Sequence, residues 1–303
     1  MAKLKLFLAL SRTPHGLMDM ATPGLAALLW LGEFPALRTV LLGLVTTFAG
    51  YTAVYALNDL VDYRTDKEKL RLGGFRDSKN YLDAAIIRHP LAQGFLSVRE
   101  GLAWSGAWSV VALIGAFLLN PVCVLIFLAG CGLEIAYCLM WKISPFRSLV
   151  SGVVKTCGAL AGVFAVDPDP SISFLLVLFL WLFAWEIGGQ NIPNDWAEIE
   201  EDRQLQARTI LVRYGAEKAS AIILDSIGLA VGLNLLLFGV AISPFELPYL
   251  AVSFVIGLGL LLLPAYRLYK TRERADALTL FKRASYYPVA CLILVVIRIV
   301  IGN

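Results

Sequence analysis

The chain has 303 residues, of which 58% are hydrophobic and only 16% charged, and its mean hydropathy is +0.73. Soluble domains carry roughly 25% charged residues, so a soluble globular protein is excluded and a polytopic membrane protein remains. The net charge of +3 averages over two compartments and gives no reason to expect a nucleic-acid partner.

In chain order, Met1 to Leu10 is too short, and too soon broken by Ser11 and Arg12, to be a cleaved signal peptide. At roughly 20 residues per span, the apolar runs predict nine helices. They lie near 16–32, 39–57, 101–119, 121–141, 149–166, 172–190, 219–241, 247–266 and 286–302. Asp19 and Pro23 interrupt the first. The expected fold is all-α, a single domain over 1–303 with nine transmembrane helices around a central cavity. The five cysteines all fall in apolar runs, without CxxC spacing or a histidine cluster, and read as packing residues.

Lys and Arg orient the spans. With the amino terminus inside, segments 1–15, 58–100, 142–148, 191–218 and 267–285 carry 23 basic residues, and the outer loops carry one, Arg38. This asymmetry predicts a cytoplasmic amino terminus and an external carboxyl terminus, in a bacterial or archaeal plasma membrane.

Two polar segments begin with matching acidic clusters, Asn58-Asp59-x-x-Asp62-x-x-x-Asp66 and Asn194-Asp195-x-x-Glu198-x-x-x-Asp202. Each directly follows a long apolar run, so both lie at the cytoplasmic exits of spans 2 and 6. On a helix, i, i+3 and i+7 share one face, which predicts one carboxylate stripe per cluster. Such stripes repel unless a cation or proton intervenes. The four-span offset suggests a pseudo-repeat of spans 1–4 and 5–8, with span 9 left over. Oxygen-only donors suit Mg2+, which is completed by water and phosphate. Two clusters facing each other across a cavity would clamp a diphosphate through two such ions, an arrangement suited to ionising an allylic diphosphate. Asp62, Asp66, Asp195 and Asp202 are the candidate catalytic carboxylates; Asn58, Asp59, Asn194 and Glu198 complete the candidate ligand set.

Nearby cations offer themselves to phosphate: Arg64, Lys67 and Lys69 by the first cluster, Arg203 and Arg208 after the second, and Lys142 and Lys155 around the turn between spans 4 and 5. The plainer reading of each is an anchor at the inner membrane face. Tyr51, Tyr55, Tyr137, Trp141, Phe183 and Trp185 are candidate walls for an allylic cation, each also explicable as packing.

These features resemble the UbiA superfamily of intramembrane prenyltransferases over nearly the whole chain. The first cluster is similar to the family's N-D-x-x-D-x-x-x-D and the second to its D-x-x-D-x-x-x-D. His89-Pro-Leu-Ala-Gln-Gly94 resembles the Arg-Pro-Leu-Ala-x-Gly that follows the first motif. Arg203 and Thr209 resemble the stretch after the second motif, and Tyr137 with Lys142 the Tyr and basic residue at the turn between spans 4 and 5. Leu8-Ala-Leu-Ser-Arg12-Thr-Pro14 is similar to the start of 4-hydroxybenzoate polyprenyltransferases, which makes Arg12, like Tyr55, a candidate substrate contact.

The resemblance implies Mg2+-dependent transfer of a polyprenyl group from its diphosphate to an acceptor. An aromatic ring such as 4-hydroxybenzoate is favoured, in quinone or related lipid synthesis; a haem-like ring or glycerol phosphate lipid is the alternative, and membrane lipid surrounds the donor's tail. The chain departs from the pattern at Glu198, Glu201 and His89. It also has 22 residues, 67–88, between Asp66 and His89, which read equally as a lid or a solvated loop. A cation transporter, which predicts mid-membrane acids or interrupted helices, and a non-catalytic relative are the competing readings.

Overall fold

The computed structural model describes residues 3–72, 87–241 and 246–302. The described residues are helical, without strands. Two short helices, α1 (Lys3–Leu10) and α2 (Thr13–Asp19), lead into α3 (Ala21–Leu31). The first predicted span is therefore broken. Arg12 turns the chain in the left-handed region (φ 44°), Pro14 starts α2, and a second bend falls at Met20.

α4 (Leu37–Val61) bends at Asp62 into α5 (Tyr63–Arg71). α6 (Val98–Leu119) opens on a capping box, in which the Ser97 hydroxyl accepts from the Glu100 amide and the Glu100 carboxylate accepts from the Ser97 amide. α7 (Pro121–Leu139) runs on through a 3-10 turn, Met140–Lys142, and is followed by α8 (Arg147–Phe164). α9 (Ile172–Trp185) passes through a π-helical stretch, Glu186–Asn191, into α10 (Ile192–Ala197) and, after a bend at Glu198, α11 (Ile199–Gln204).

α12 (Ile210–Val240) is capped by the Thr209 hydroxyl and kinks at Gly215, whose φ of 79° suits glycine. α13 (Leu247–Gly257), a second π stretch (Leu258–Leu262) and α14 (Leu263–Thr271) form one more spanning unit before α15 (Arg274–Gly302).

Seven of these units are long and apolar enough to cross a membrane, which makes the chain an integral membrane protein. The remaining two predicted spans are the broken α2–α3 pair and α8, which carries Arg147 and Lys155. The helices form a closed ring: α4 packs on α6 and α7, α7 on α8, α8 on α9, α9 on α12, α12 on α14, and α14 on α15. α15 then meets α2 and α3, and α2 returns to α4. Many large apolar side chains, such as Leu41, Phe117, Leu125 and Ile172, point outward, as lipid-facing residues do.

Small residues let helices touch. A Cβ on Gly162 of α8 would sit 2.5 Å from the Pro23 carbonyl oxygen on α3, and one on Gly152 2.6 Å from the Phe183 ring on α9. The polar segments 210–218 and 274–285 are helical extensions of α12 and α15 rather than loops, because each presents one face to the core through residues such as Leu211, Ala277, Leu280 and Ala284. Gly73, Gly74 and most of the expected 67–88 lid lie outside the described residues; of that segment α5 takes up Lys67 to Arg71, and Arg88 returns to the site.

Candidate active site

Both acidic clusters come to one end of the ring and face each other. Neither is the straight helical stripe expected. Each bends at its middle acid, Asp62 in the first and Glu198 in the second, so the two motifs are interrupted at the same motif position. The bend turns Asp66 and Asp202 back over the mouth of the ring instead of letting them run on along the axis. The π stretch Glu186–Asn191 carries an extra residue per turn just before the second cluster, a device that re-aims side chains. Gly188 and Gly189 permit it, since a Cβ on either would lie 2.9 Å from a neighbouring helix.

Basic residues stitch the clusters together. Lys69 of α5 is buried, with its ammonium 2.7 Å from Glu198 and 3.2 Å from Asp202. Arg88 stands 2.8 Å from Glu198. His89 lies 3.1 Å from Asp59 and 2.7 Å from Asp66. Arg12 donates to Asn58 at 3.1 Å and to Asp59 at 3.3 Å. Arg147 opens α8 with its guanidinium 3.9 Å from Asp195 and 4.1 Å above the Tyr137 ring, and its charge also acts on Asp62 and Asp202.

Charge states outside the membrane follow from these neighbours. Burial opposes the charge on His89, but Asp66 and Asp59 outweigh it and push the imidazole up to about 9. Burial, with Asp66 adding repulsion, pushes Asp62 up to about 6 against the pull of Arg147. Burial likewise raises Glu198, but Lys69 and Arg88 win and hold it well below the usual carboxylate range. Asp202, farther from the Lys69 ammonium, stays raised by burial.

The donor set fits a hard divalent cation. The clusters supply six carboxylates, and the Oδ2 atoms of Asp59 and Asp195, one from each cluster, are buried without a hydrogen-bond partner among the described residues. Ligand atoms of Asp59, Asp66 and His89 lie within 4.8 Å of one another, so His89 is a further candidate donor.

The site opens into a cavity of about 470 Å³. Its polar end holds Arg12, Tyr55, Asn58, Arg88, His89, Tyr137 and Asn194. Its other half runs past Gly43, Thr47, Ala116 and Leu119 to Phe34 and Pro35, at the far ends of α3 and α4. Tyr137 accepts from the Asn191 amide at 3.0 Å.

Three expected phosphate contacts lie elsewhere. Arg64 is exposed on α5. Lys142 is exposed and pairs with Glu68 at 3.1 Å, and Arg203 is exposed beside Glu200 at 3.8 Å. Arg64 and Arg203 fall on the outward faces of short helices whose buried faces carry Asp66 and Asp202, and Lys142 ends a 3-10 turn that bears no acid. Thr209 is a helix cap. Lys69 and Arg147 are instead buried against the acids, and Lys155 is half-buried beside Asp19.

Sequence reasoning missed Arg147 as a site residue, together with the cavity acids Asp19, Glu134 and Glu186. The available signal was an ionisable residue inside an otherwise apolar run.

The comparisons agree with this geometry. The model of the UbiA prenyltransferase family matches residues 20–286. The chain is 26% identical over 224 residues to the digeranylgeranylglyceryl phosphate synthase of Thermococcus sibiricus, covering 73% of this chain and 72% of that one. It is 29% identical over 239 residues to the lycopene elongase/hydratase of Corynebacterium glutamicum (72% of each chain). It is 24% identical over 256 residues to the 4-hydroxybenzoate octaprenyltransferase of Aromatoleum aromaticum (78% and 80%).

Its fold is similar to that of a UbiA homolog from Aeropyrum pernix, with a TM-score of 0.73 at 20% identity over 95% of this chain and 98% of that one. It is also similar to a UbiA homolog from Archaeoglobus fulgidus bound to GPP and Mg2+, with a TM-score of 0.68 at 17% identity over 96% and 99%. With its family match spanning nearly the whole chain, this protein belongs to the UbiA prenyltransferase family.

Proposed function

We propose that this member of the family transfers a prenyl group from an allylic diphosphate to an acceptor held in the cavity, in a Mg2+-dependent reaction. The observation that carries the reading is the meeting of both acidic clusters, bridged by Lys69 and Arg88, beside one largely apolar cavity that their leading residues Asn58 and Asn194 line. Asp59, Asp62 and Asp66 on one side and Asp195, Glu198 and Asp202 on the other would hold two ions, with Asn194 beside them. Bound there, Mg2+ supplies Lewis-acid neutralisation of the diphosphate.

The chain's own residues do the rest. Arg12, Arg88 and Arg147 surround the mouth as donors to phosphate oxygens once the acids they now pair with are engaged. Tyr55 and Tyr137 line the cavity and would serve as aromatic walls for positive charge developing at the allylic carbon. The apolar half of the cavity takes the tail and excludes water from the cation. The excess of basic residues in the segments bearing the clusters supports a cytoplasmic active site.

The acceptor is what the similar proteins do not share, since their names include a glyceryl phosphate, a carotene and a hydroxybenzoate. The 4-hydroxybenzoate ring expected from the amino terminus is one acceptor the tyrosine-lined wall would suit. The transporter reading anticipated acids deeper in the membrane and interrupted helices, and both are present, but the family match favours transfer.

The test is purified protein with Mg2+, a panel of prenyl diphosphates and a panel of acceptors, read by mass spectrometry. Mg2+-dependent prenylated product and pyrophosphate are expected, and both are lost in Asp62→Ala and Asp195→Ala. Activity undiminished in those variants overturns the assignment.

A further inference from the structure

Glu186 opens the π stretch eight residues before Asn194 and lines the cavity deeper than the acidic mouth. It is 7% exposed. Ser151 of α8 donates to its Oε1 at 2.7 Å, and its Oε2 has no hydrogen-bond partner among the described residues. The Lys155 ammonium stands 3.9 Å from that oxygen and 2.7 Å from Asp19. Asp19 and Glu134, which line the same cavity, are already engaged. Asp19 Oδ2 takes Lys155, the Tyr55 hydroxyl and, at 3.8 Å, His15. Glu134 Oε1 accepts at 2.6 Å from Asn58, the amide that Arg12 also holds.

A buried carboxylate oxygen without a partner carries a desolvation penalty, so what it meets during turnover matters. Prenyl transfer supplies a donor. The allylic C–O bond breaks and its electron pair leaves with pyrophosphate. An electron pair of the acceptor then forms the bond to the allylic carbon, and the positive charge passes to the acceptor. The acceptor must lose a proton. It comes from the alkylated ring carbon of a phenol, from a carbon beside the attacked double bond of an alkene, or from the oxygen of an alcohol. The electrons of that bond to hydrogen stay with the acceptor. The acids of the mouth are engaged with metal and diphosphate on the reading above, and a site that excludes water holds no solvent base. A carboxylate within hydrogen-bond reach of the acceptor meets the need. Ser151 fixes Glu186 through one oxygen and leaves the other free, and the Lys155 ammonium supplies the counter-charge that an ionised carboxylate at this depth requires.

We propose that Glu186 is the catalytic base of the transfer, its Oε2 taking the proton that the acceptor loses; this rests on the prenyl-transfer reading above.

The test uses full-length protein in nanodiscs with Mg2+ and geranyl diphosphate. The acceptors offered in turn are 4-hydroxybenzoate, lycopene and a glyceryl phosphate ether lipid, and the one that wild type prenylates is carried forward. Prenylated product, geraniol and pyrophosphate are measured together. In Glu186→Gln and Glu186→Ala, product formation is expected to fall about 10²-fold. Pyrophosphate release persists, because ionisation at the mouth does not use this group, and water captures the cation as geraniol. Glu186→Asp, which keeps a carboxylate, retains more product than Glu186→Gln. Formate restores product in Glu186→Ala but not in Asp195→Ala, a rescue that a merely structural role would not give.

Product undiminished in Glu186→Gln and Glu186→Ala, product and pyrophosphate falling together in every Glu186 variant, or no rescue by formate overturns the proposal. Wild type that prenylates none of these acceptors sinks the transfer reading itself, whereas wild-type transfer that Glu186 substitutions leave unchanged sinks the assignment of the base alone.

Discussion

Replacing Lys69 with methionine tests whether the second acidic cluster faces a divalent cation. The Lys69 ammonium is buried, 2.7 Å from Glu198 and 3.2 Å from Asp202. Unit charges at such separations attract by roughly 5–6 kcal/mol at an effective dielectric near 20, before desolvation is subtracted. Removing one member of a buried pair leaves the others uncompensated and destabilises by about 3–5 kcal/mol. Arg88 remains 2.8 Å from Glu198, which argues for the lower end, about 3 kcal/mol. At roughly 2–4 °C per kcal/mol for a large domain, Lys69→Met in chelator should melt on the order of 6–12 °C below wild type. Mg2+ should then separate the proteins further. With the ammonium gone, a divalent ion can take over both carboxylates, so millimolar Mg2+ restores more of the melting temperature in the variant than it adds to wild type. The assay is thermal melting of purified protein in EDTA and in Mg2+. A deficit of equal size in both buffers would show that Glu198 and Asp202 serve an internal ion pair alone, and would refute the metal reading of this cluster.

Other outcomes follow from the same structure. His89 has its folded pKa raised to about 9 from an ordinary value near 6.5. Its contribution is therefore fully present below pH 6.5 and is lost as pH rises through 9. Metal-free protein should lose up to about 3 kcal/mol of stability across that window, and His89→Gln should flatten the loss, as read by melting temperature against pH. Gly162→Ala forces a Cβ to within 2.5 Å of the Pro23 carbonyl oxygen and should destabilise by about 1–3 kcal/mol. Gly106→Ala, with nothing within 4 Å, should be neutral or slightly stabilising, and equal melting of the two variants would contradict the packing argument. Gly43 lines the far half of the cavity with open space around it. Gly43→Phe should shorten the longest prenyl chain transferred while sparing short donors, as measured by product mass, and an unchanged length distribution would remove the tail from this part of the cavity.

The helices were legible in the sequence wherever an apolar run was continuous. The spans at 101–119, 121–141 and 172–190 lie within or close to α6, α7 and the α9 unit because nothing interrupts their hydropathy. Legibility failed where polar residues continued a helix, at 210–218 and 274–285, since only the partner helices reveal that one face is buried. The acidic clusters were visible because their spacing repeats. Their bends at Asp62 and Glu198 were not, because neither residue breaks a helix by itself. The cations were hardest to place. Lys69 and Lys142 both lie near the site in sequence, yet one is buried against Glu198 and the other exposed beside Glu68, a difference set by which face of a short helix each occupies.

The mouth and the deeper cavity solve different electrostatic problems. At the mouth, two facing sets of acids would repel, and the chain offsets this with Lys69, Arg88, His89 and Arg12, every one of them donated by a segment other than the one that bears its acid or from beyond the cluster itself. On the proposed reading such cations would swing to a diphosphate once divalent ions engaged the carboxylates, so the residues that stabilise the site before binding would serve the leaving group afterwards. In the deeper cavity the Lys155 ammonium is held between Asp19 of α2 and Glu186 of the π stretch, and His15 lies 3.8 Å from Asp19. The cations of the mouth therefore pair with the acids of the two clusters, whereas Lys155 pairs with acids that lie outside both. On the proposed reading a diphosphate would bind at the mouth, among the acids and cations of the two clusters, with its tail extended into the apolar half of the cavity.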